Sequence, residues 1–111
     1  MGENILELNE ANFEEEVLRA QEPVLVDFWA TWCMPCRMMA PVVEDIAKSF
    51  SGRIKVGKVN TDEVPSLALR YGVHAIPTLI FFQDGREIER VVGYVPRRLL
   101  EEKLKRILGE V

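Results

Sequence analysis

The sequence predicts an α/β domain with a central mixed sheet of five strands flanked by four helices. Three observations carry that expectation. Short β-runs and helical stripes alternate along most of the chain, which calls for crossover connections lying over a sheet. The run Val24 to Trp29 is almost unbrokenly apolar, as in a parallel strand buried on both faces. The chain then closes with a hairpin signal and an amphipathic helix, which adds antiparallel pairing and a last covering layer.

Taken in order, "ILEL" (Ile5 to Leu8) alternates as a short strand, and "NFEEEVLRA" after Asn12 reads as a helix with an asparagine N-cap and acids in its first turn. Val24 to Trp29 is the second strand, interrupted in polarity only by Asp27. Pro35 stands where a helix starts, and Met39, Val42, Val43, Ile46, Ala47 and Phe50 form a helical stripe behind it. Pro41 lies inside that stripe and is expected to kink the helix. Ile54 to Asn60 is the third strand, and "VPSLALRYG" is a short helix stopped by Gly72. "TLIFFQDGREIERVV" is a hairpin turning at Asp84 and Gly85. The last helix runs from about Arg97 to Leu108, with Leu99, Leu100, Leu104, Ile107 and Leu108 at helical spacing for docking on the sheet.

With 111 residues and no linker or repeat, the chain is expected to form one domain spanning residues 1–111. Its net charge is −4, the wrong sign for a nucleic-acid binder. The bases near the C-terminus alternate with Glu101, Glu102 and Glu110 as on a solvated helix face. The opening residues show no apolar run flanked by bases and no small-residue cleavage pattern. No stretch approaches the roughly 20 apolar residues of a membrane helix. These features lead to the expectation of a cytoplasmic monomer that binds neither membrane nor nucleic acid.

"DFWATWCMPCRMMAP" holds both cysteines, with Asp27 in apolar company just upstream. At a helix N-terminus, unpaired N–H groups and the helix dipole favour the thiolate of the first cysteine. Cys33 is thus the candidate nucleophile, and Cys36, one turn on, is placed to resolve a mixed disulfide. Zinc would need two further ligands, and the chain offers only His74 and scattered carboxylates; no metal is expected. A structural disulfide would close a very small loop and constrain little. Two inert core cysteines fit poorly beside Trp32, Pro35 and Arg37. A carboxylate in "VLVDFW" should be desolvated and hold its proton to a higher pH, which suits it to take a proton from Cys36.

The segments "VDFWATWCMPCRMMAP", "KVNTDEVPSLALRYGV", "IPTLIFFQDGRE" and "VVGY" together resemble the thioredoxin family, itself the usual example of this cysteine spacing. The resemblance implies the thioredoxin fold and a thiol–disulfide oxidoreductase that reduces protein disulfides and is regenerated by a separate, thioredoxin reductase-like electron donor. It implies that Cys33 attacks, that Cys36 resolves, that Asp27 is the buried acid beneath the pair and that Lys58 is its neighbour. It makes Pro77 a cis proline facing the cysteines and puts Trp29, Trp32, Ile76 and Gly93 on the substrate-docking surface. The redox-active disulfide Cys33–Cys36 is then the only redox group expected. No bound cofactor is expected, since no Gly-rich dinucleotide fingerprint occurs.

The commoner family dipeptide between the cysteines is Gly-Pro, whereas this chain has Met34 and Pro35. Pro35 keeps the resemblance, while Met34 adds a bulky apolar side chain that would tune the redox poise and enlarge the docking surface. Tyr94 and the following "PRR" also depart from the small residues usual there, which bears on the choice of reductase. His74, the sole histidine, is read as outside the chemistry, and Met38 and Met39 as helix packing. The alternatives are a disulfide oxidant or isomerase, and a non-catalytic binding module using the same apolar surface.

Overall fold

The computed structural model describes residues 4–110; of the expected 1–111 domain, residues 1–3 and 111 lie outside the described residues. Five strands form one sheet: β1 (Ile5–Glu7), β2 (Val24–Trp29), β3 (Lys55–Asn60), β4 (Thr78–Gln83) and β5 (Arg86–Val92), in the order β1-β3-β2-β4-β5. The first three run parallel, and β4 and β5 are each antiparallel to their neighbour. Helices α1 (Met34–Ser49), α2 (Pro65–Arg70) and α3 (Arg97–Leu108) cover it, together with a helical turn over Glu14–Leu18.

Strand alternation divides the core into two layers. Leu25, Val56, Leu79 and Phe81 face Met39, Val43, Ile46 and Phe50 of α1 and Leu100 and Leu104 of α3. Val24, Val26, Phe28, Ile80 and Phe82 face Phe13, Val17 and Leu67 of α2 on the other side. Helices thus lie on both faces, and β2, central and apolar on both sides, is buried along nearly its whole length.

Three expectations need correction. The segment after Asn12 is helical as expected, a five-residue π-helix over Glu14–Leu18 closed by the Arg19 N–H donating to the Glu14 carbonyl at 2.9 Å. Asn12 does not cap it. Its side chain accepts from the Asn9 N–H and donates to the Glu7 carbonyl, so it is spent on the loop after β1. Leu99 is exposed, because the stripe that faces the sheet runs through Leu100 and Leu104 with Ile107 and Leu108 beside it. Met38, read with Met39 as packing, is exposed on α1 while Met39 is fully buried. Helix α1 runs on through Pro41.

Gly57 in the middle of β3 has a local reason: a Cβ there would stand 2.5 Å from Leu8 Cδ1. The hairpin turns at Asp84 and Gly85, both at positive φ (53° and 79°), the pattern of a two-residue turn whose twist matches the strands. The edges of the sheet are a three-residue β1 and a β5 carrying Arg86, Glu87, Glu89 and Arg90.

Candidate active site

The site forms where β2 ends. The chain leaves Trp29, crosses Ala30 to Trp32, and enters α1 with Cys33 as its N-cap residue in an extended conformation (φ −92°, ψ 111°). Pro35, at the second helical position, has no N–H to leave unpaired. The Cys36 N–H donates to Cys33 Sγ at 3.3 Å, so the sulfur takes the place of an oxygen cap. The two cysteines are joined in a disulfide, Cα to Cα 5.2 Å. Both are nearly enclosed, with Cys33 5% exposed, in a small cluster with Ala30 and the half-buried Trp29 and Ile76.

Opposite the pair, Cys33 Sγ lies 3.6 Å from the Ile76 carbonyl oxygen. The Ile76–Pro77 peptide bond is cis. Pro77 is buried, and its carbonyl accepts from the Gly93 N–H at 2.8 Å. Gly93 has φ +92° and open space where a Cβ would stand. A groove of about 520 Å³ passes over Cys33, walled by Trp32, Met34 and Pro35 on one side and by Val73 to Ile76 on the other. Trp32 is 68% and Met34 61% exposed. Thr61 and Ala68 complete the lining, and most of the lining side chains are apolar.

Asp27 is in register with Lys58 of β3 and Leu79 of β4, on the α1 face of the sheet. It is 1% exposed, and its Oδ1 has no hydrogen-bond partner among the described residues. Burial pushes its carboxyl up from an ordinary 3.8 to about 7, against the opposing pull of the Lys58 charge. Lys58 is itself 7% exposed, with Nζ 5.5 Å from the centre of the Trp29 ring. Trp29 packs against Cys33 and Cys36 and beside this lysine, and it is not among the residues that line the groove.

Sequence reading missed several residues. Asp62 accepts from the Trp32 indole N–H at 2.9 Å. Thr61 brings it there, because its N–H donates to the Trp29 carbonyl at 2.9 Å and ties the end of β3 to the end of β2. Val73, His74 and Ala75 form groove wall, and nothing in their types announces it. Among the described residues, no group of three or more His, Cys, Asp or Glu side chains is arranged to hold a metal ion, and no helix is long and apolar enough to cross a membrane.

Comparison with known proteins agrees with this geometry. The family model described as Thioredoxin matches residues 4–106. The chain is 54% identical over 101 residues to Thioredoxin 1 of Synechococcus elongatus, covering 91% of this chain and 94% of that one. It is 51% identical to Thioredoxin 1 of Nostoc sp., covering 92% and 95%. It is also 46% identical to the chloroplastic Thioredoxin M-type of Pisum sativum, covering 91% of this chain and 59% of that longer protein.

Proposed function

The chain belongs to the thioredoxin family, and from that premise we propose a residue-by-residue account of its chemistry. The protein is a thiol–disulfide oxidoreductase working by dithiol–disulfide exchange, with disulfide-containing proteins as substrates and a reductase as electron source. In the reduced state the Cys33 thiolate attacks one sulfur of a substrate disulfide, forming a mixed disulfide and expelling the other sulfur as a thiolate. Cys36 then attacks Cys33 Sγ while its thiol proton passes to Asp27, whose raised affinity for protons fits it to accept one near neutrality. The substrate leaves with both sulfurs reduced, and the protein holds the Cys33–Cys36 disulfide.

Lys58 acts on this cycle through the charge of Asp27. Trp32, Met34, Pro35, Ile76 and Gly93 receive the substrate chain, with Pro77 and Trp29 supporting them from below. No bound cofactor takes part; a separate reductase of the thioredoxin reductase type restores the dithiol, and the protein works as a cytoplasmic monomer. The observation that carries the reading is the cap hydrogen bond to Cys33 Sγ from the Cys36 N–H, which favours negative charge on that sulfur.

The test is the reduction potential of the pair, measured by equilibration in dithiol buffers. A value within or slightly below the cytosolic glutathione range of about −220 to −320 mV supports a reductase, and one near about −120 mV marks a disulfide donor and overturns the reading.

A further inference from the structure

The groove wall opposite Cys33 hangs from the C-terminal end of α2, and that end is held by a side chain from β5. Gly72 (φ +62°) donates its N–H to the Leu69 carbonyl at 3.1 Å, and Val73 donates to Ala68 at 2.8 Å. This is the paired bonding that closes a helix on a glycine, and it leaves the Tyr71 and Gly72 carbonyls without helical partners. Arg90 supplies them: Nη2 donates to the Tyr71 carbonyl at 2.6 Å and Nη1 to the Gly72 carbonyl at 3.3 Å. Glu87 grips the guanidinium from behind, accepting from Nε at 2.7 Å and from Nη2 at 2.8 Å.

Glu87 and Arg90 meet only because β5 carries a bulge. Phe81 pairs with Glu89 and Phe82 with Glu87, so Ile88 is an extra residue with no partner in β4. Residues three apart in a regular strand point to opposite faces. The extra residue restores Glu87 and Arg90 to one face, the face of Ile80, Phe82 and Tyr71. On its ring side Tyr71 is already fixed against Phe13 and Phe82, at centroid distances of 5.4 and 5.3 Å. Its carbonyl is fixed by Arg90, and the chain continues from there through Val73 to Ile76 beside Cys33.

We propose that Arg90, aligned by Glu87 across the β5 bulge, is a positioning residue for substrate docking. It sets the Val73–Ile76 wall of the groove and so governs the binding of protein disulfides without touching the reacting sulfurs. The inference rests on the disulfide-reducing reading of the groove. Bulges that re-aim a side chain near a site are a recognised use of that irregularity. Bonds from a guanidinium to two adjacent carbonyls restrain the segment they hold and lessen the ordering left for substrate binding.

The experiment compares wild type with Arg90→Leu, Arg90→Lys and Glu87→Gln on two substrates, insulin and bis(2-hydroxyethyl) disulfide, the second too small to span the groove. The expected result for Arg90→Leu is a KM for insulin raised about tenfold, from the cost of ordering the wall on binding, with kcat, the small-disulfide rate and the reduction potential unchanged. Arg90→Lys, which keeps one donor group near the carbonyls, should recover part of the loss, and Glu87→Gln should lose less than Arg90→Leu. Equal losses on both substrates, or an unchanged insulin KM, overturn the proposal. If Arg90→Leu does not fold, the other two variants decide it in the same assays. A wild type inactive on both substrates would overturn the disulfide-reducing reading and the inference with it, and is thereby distinct from a failure of the inference alone.

Discussion

Asp27 and Lys58 stand in register on adjacent parallel strands, both buried, and among the described residues one carboxyl oxygen of Asp27 finds no hydrogen bond. An opposite charge on the neighbouring strand lowers the cost of ionising Asp27 but does not cancel it, so desolvation wins and the group holds its proton up to about pH 7. A buried acid whose ionisation is costly is also a ready acceptor when a proton must be removed locally.

Stability should fall with pH because of this residue. The folded chain holds at Asp27 a proton that the unfolded chain releases near its ordinary value of 3.8. The linked stability is therefore fully present below about pH 4 and is lost as pH rises to about 7, a swing on the order of 4 kcal/mol. Asp27→Asn should flatten that slope and make the protein more stable than wild type at pH 8. Urea unfolding at pH 4, 6 and 8 measures it; parallel curves for the two proteins would contradict the burial argument.

The same substitution should slow resolution of the mixed disulfide, since Cys36 loses its proton acceptor. A fall of roughly 10²-fold in that step near pH 7 is expected from the loss of general base assistance. Stopped-flow reduction of insulin across pH 6 to 9 reads it, and the inflection near pH 7 should vanish.

Cys36→Ser should still attack but be unable to release its substrate. Incubation with an oxidised protein substrate should then yield a covalent complex through Cys33, visible as a mass sum that dithiothreitol removes, whereas Cys33→Ser should give none. A stable complex with Cys33→Ser would reverse the assigned roles.

Gly57→Ala should destabilise the fold, because the added carbon meets Leu8 at a distance real side chains do not tolerate. A cost of about 1–3 kcal/mol is expected for such overpacking. Leu8→Ala has a cost of its own, but the double variant should be less destabilised than the two single changes summed, which chemical denaturation of all four proteins will show.

Asp62→Ala should release the Trp32 indole. Trp32 is exposed and its indole N–H donates to Asp62, so kcat/KM for a protein disulfide should drop by roughly three- to tenfold, as for a charge-assisted hydrogen bond near the surface. Trp32 emission should shift in the same variant. An unaltered rate would mean that the orientation of Trp32 is immaterial to docking.

Much of the molecule was legible in the residues because the signals were local. Val24 to Trp29 reads as an inner strand from its apolar run, Asp84 and Gly85 are turn chemistry, and the cysteine spacing beside Pro35 marks a helix start. What stayed hidden depends on contacts between distant segments or on a one-residue change of register. Asn12 leaves the helical segment at Glu14–Leu18 uncapped because its side chain is drawn into the loop after β1. The Ile88 bulge exists only relative to β4. Asp62 matters through Trp32, thirty positions earlier, and Gly57 through Leu8. Lys58 is marked in the sequence only by the resemblance, and the register of β2 and β3 is what sets it beside Asp27.

The edges of the sheet bear on the company this protein keeps. Extended polypeptide adds readily to any open strand. Here one border is only three residues long and the other is charged and bulged. The sheet is thereby a poor template for strand capture or co-aggregation, whatever extended chain comes near the groove over Cys33.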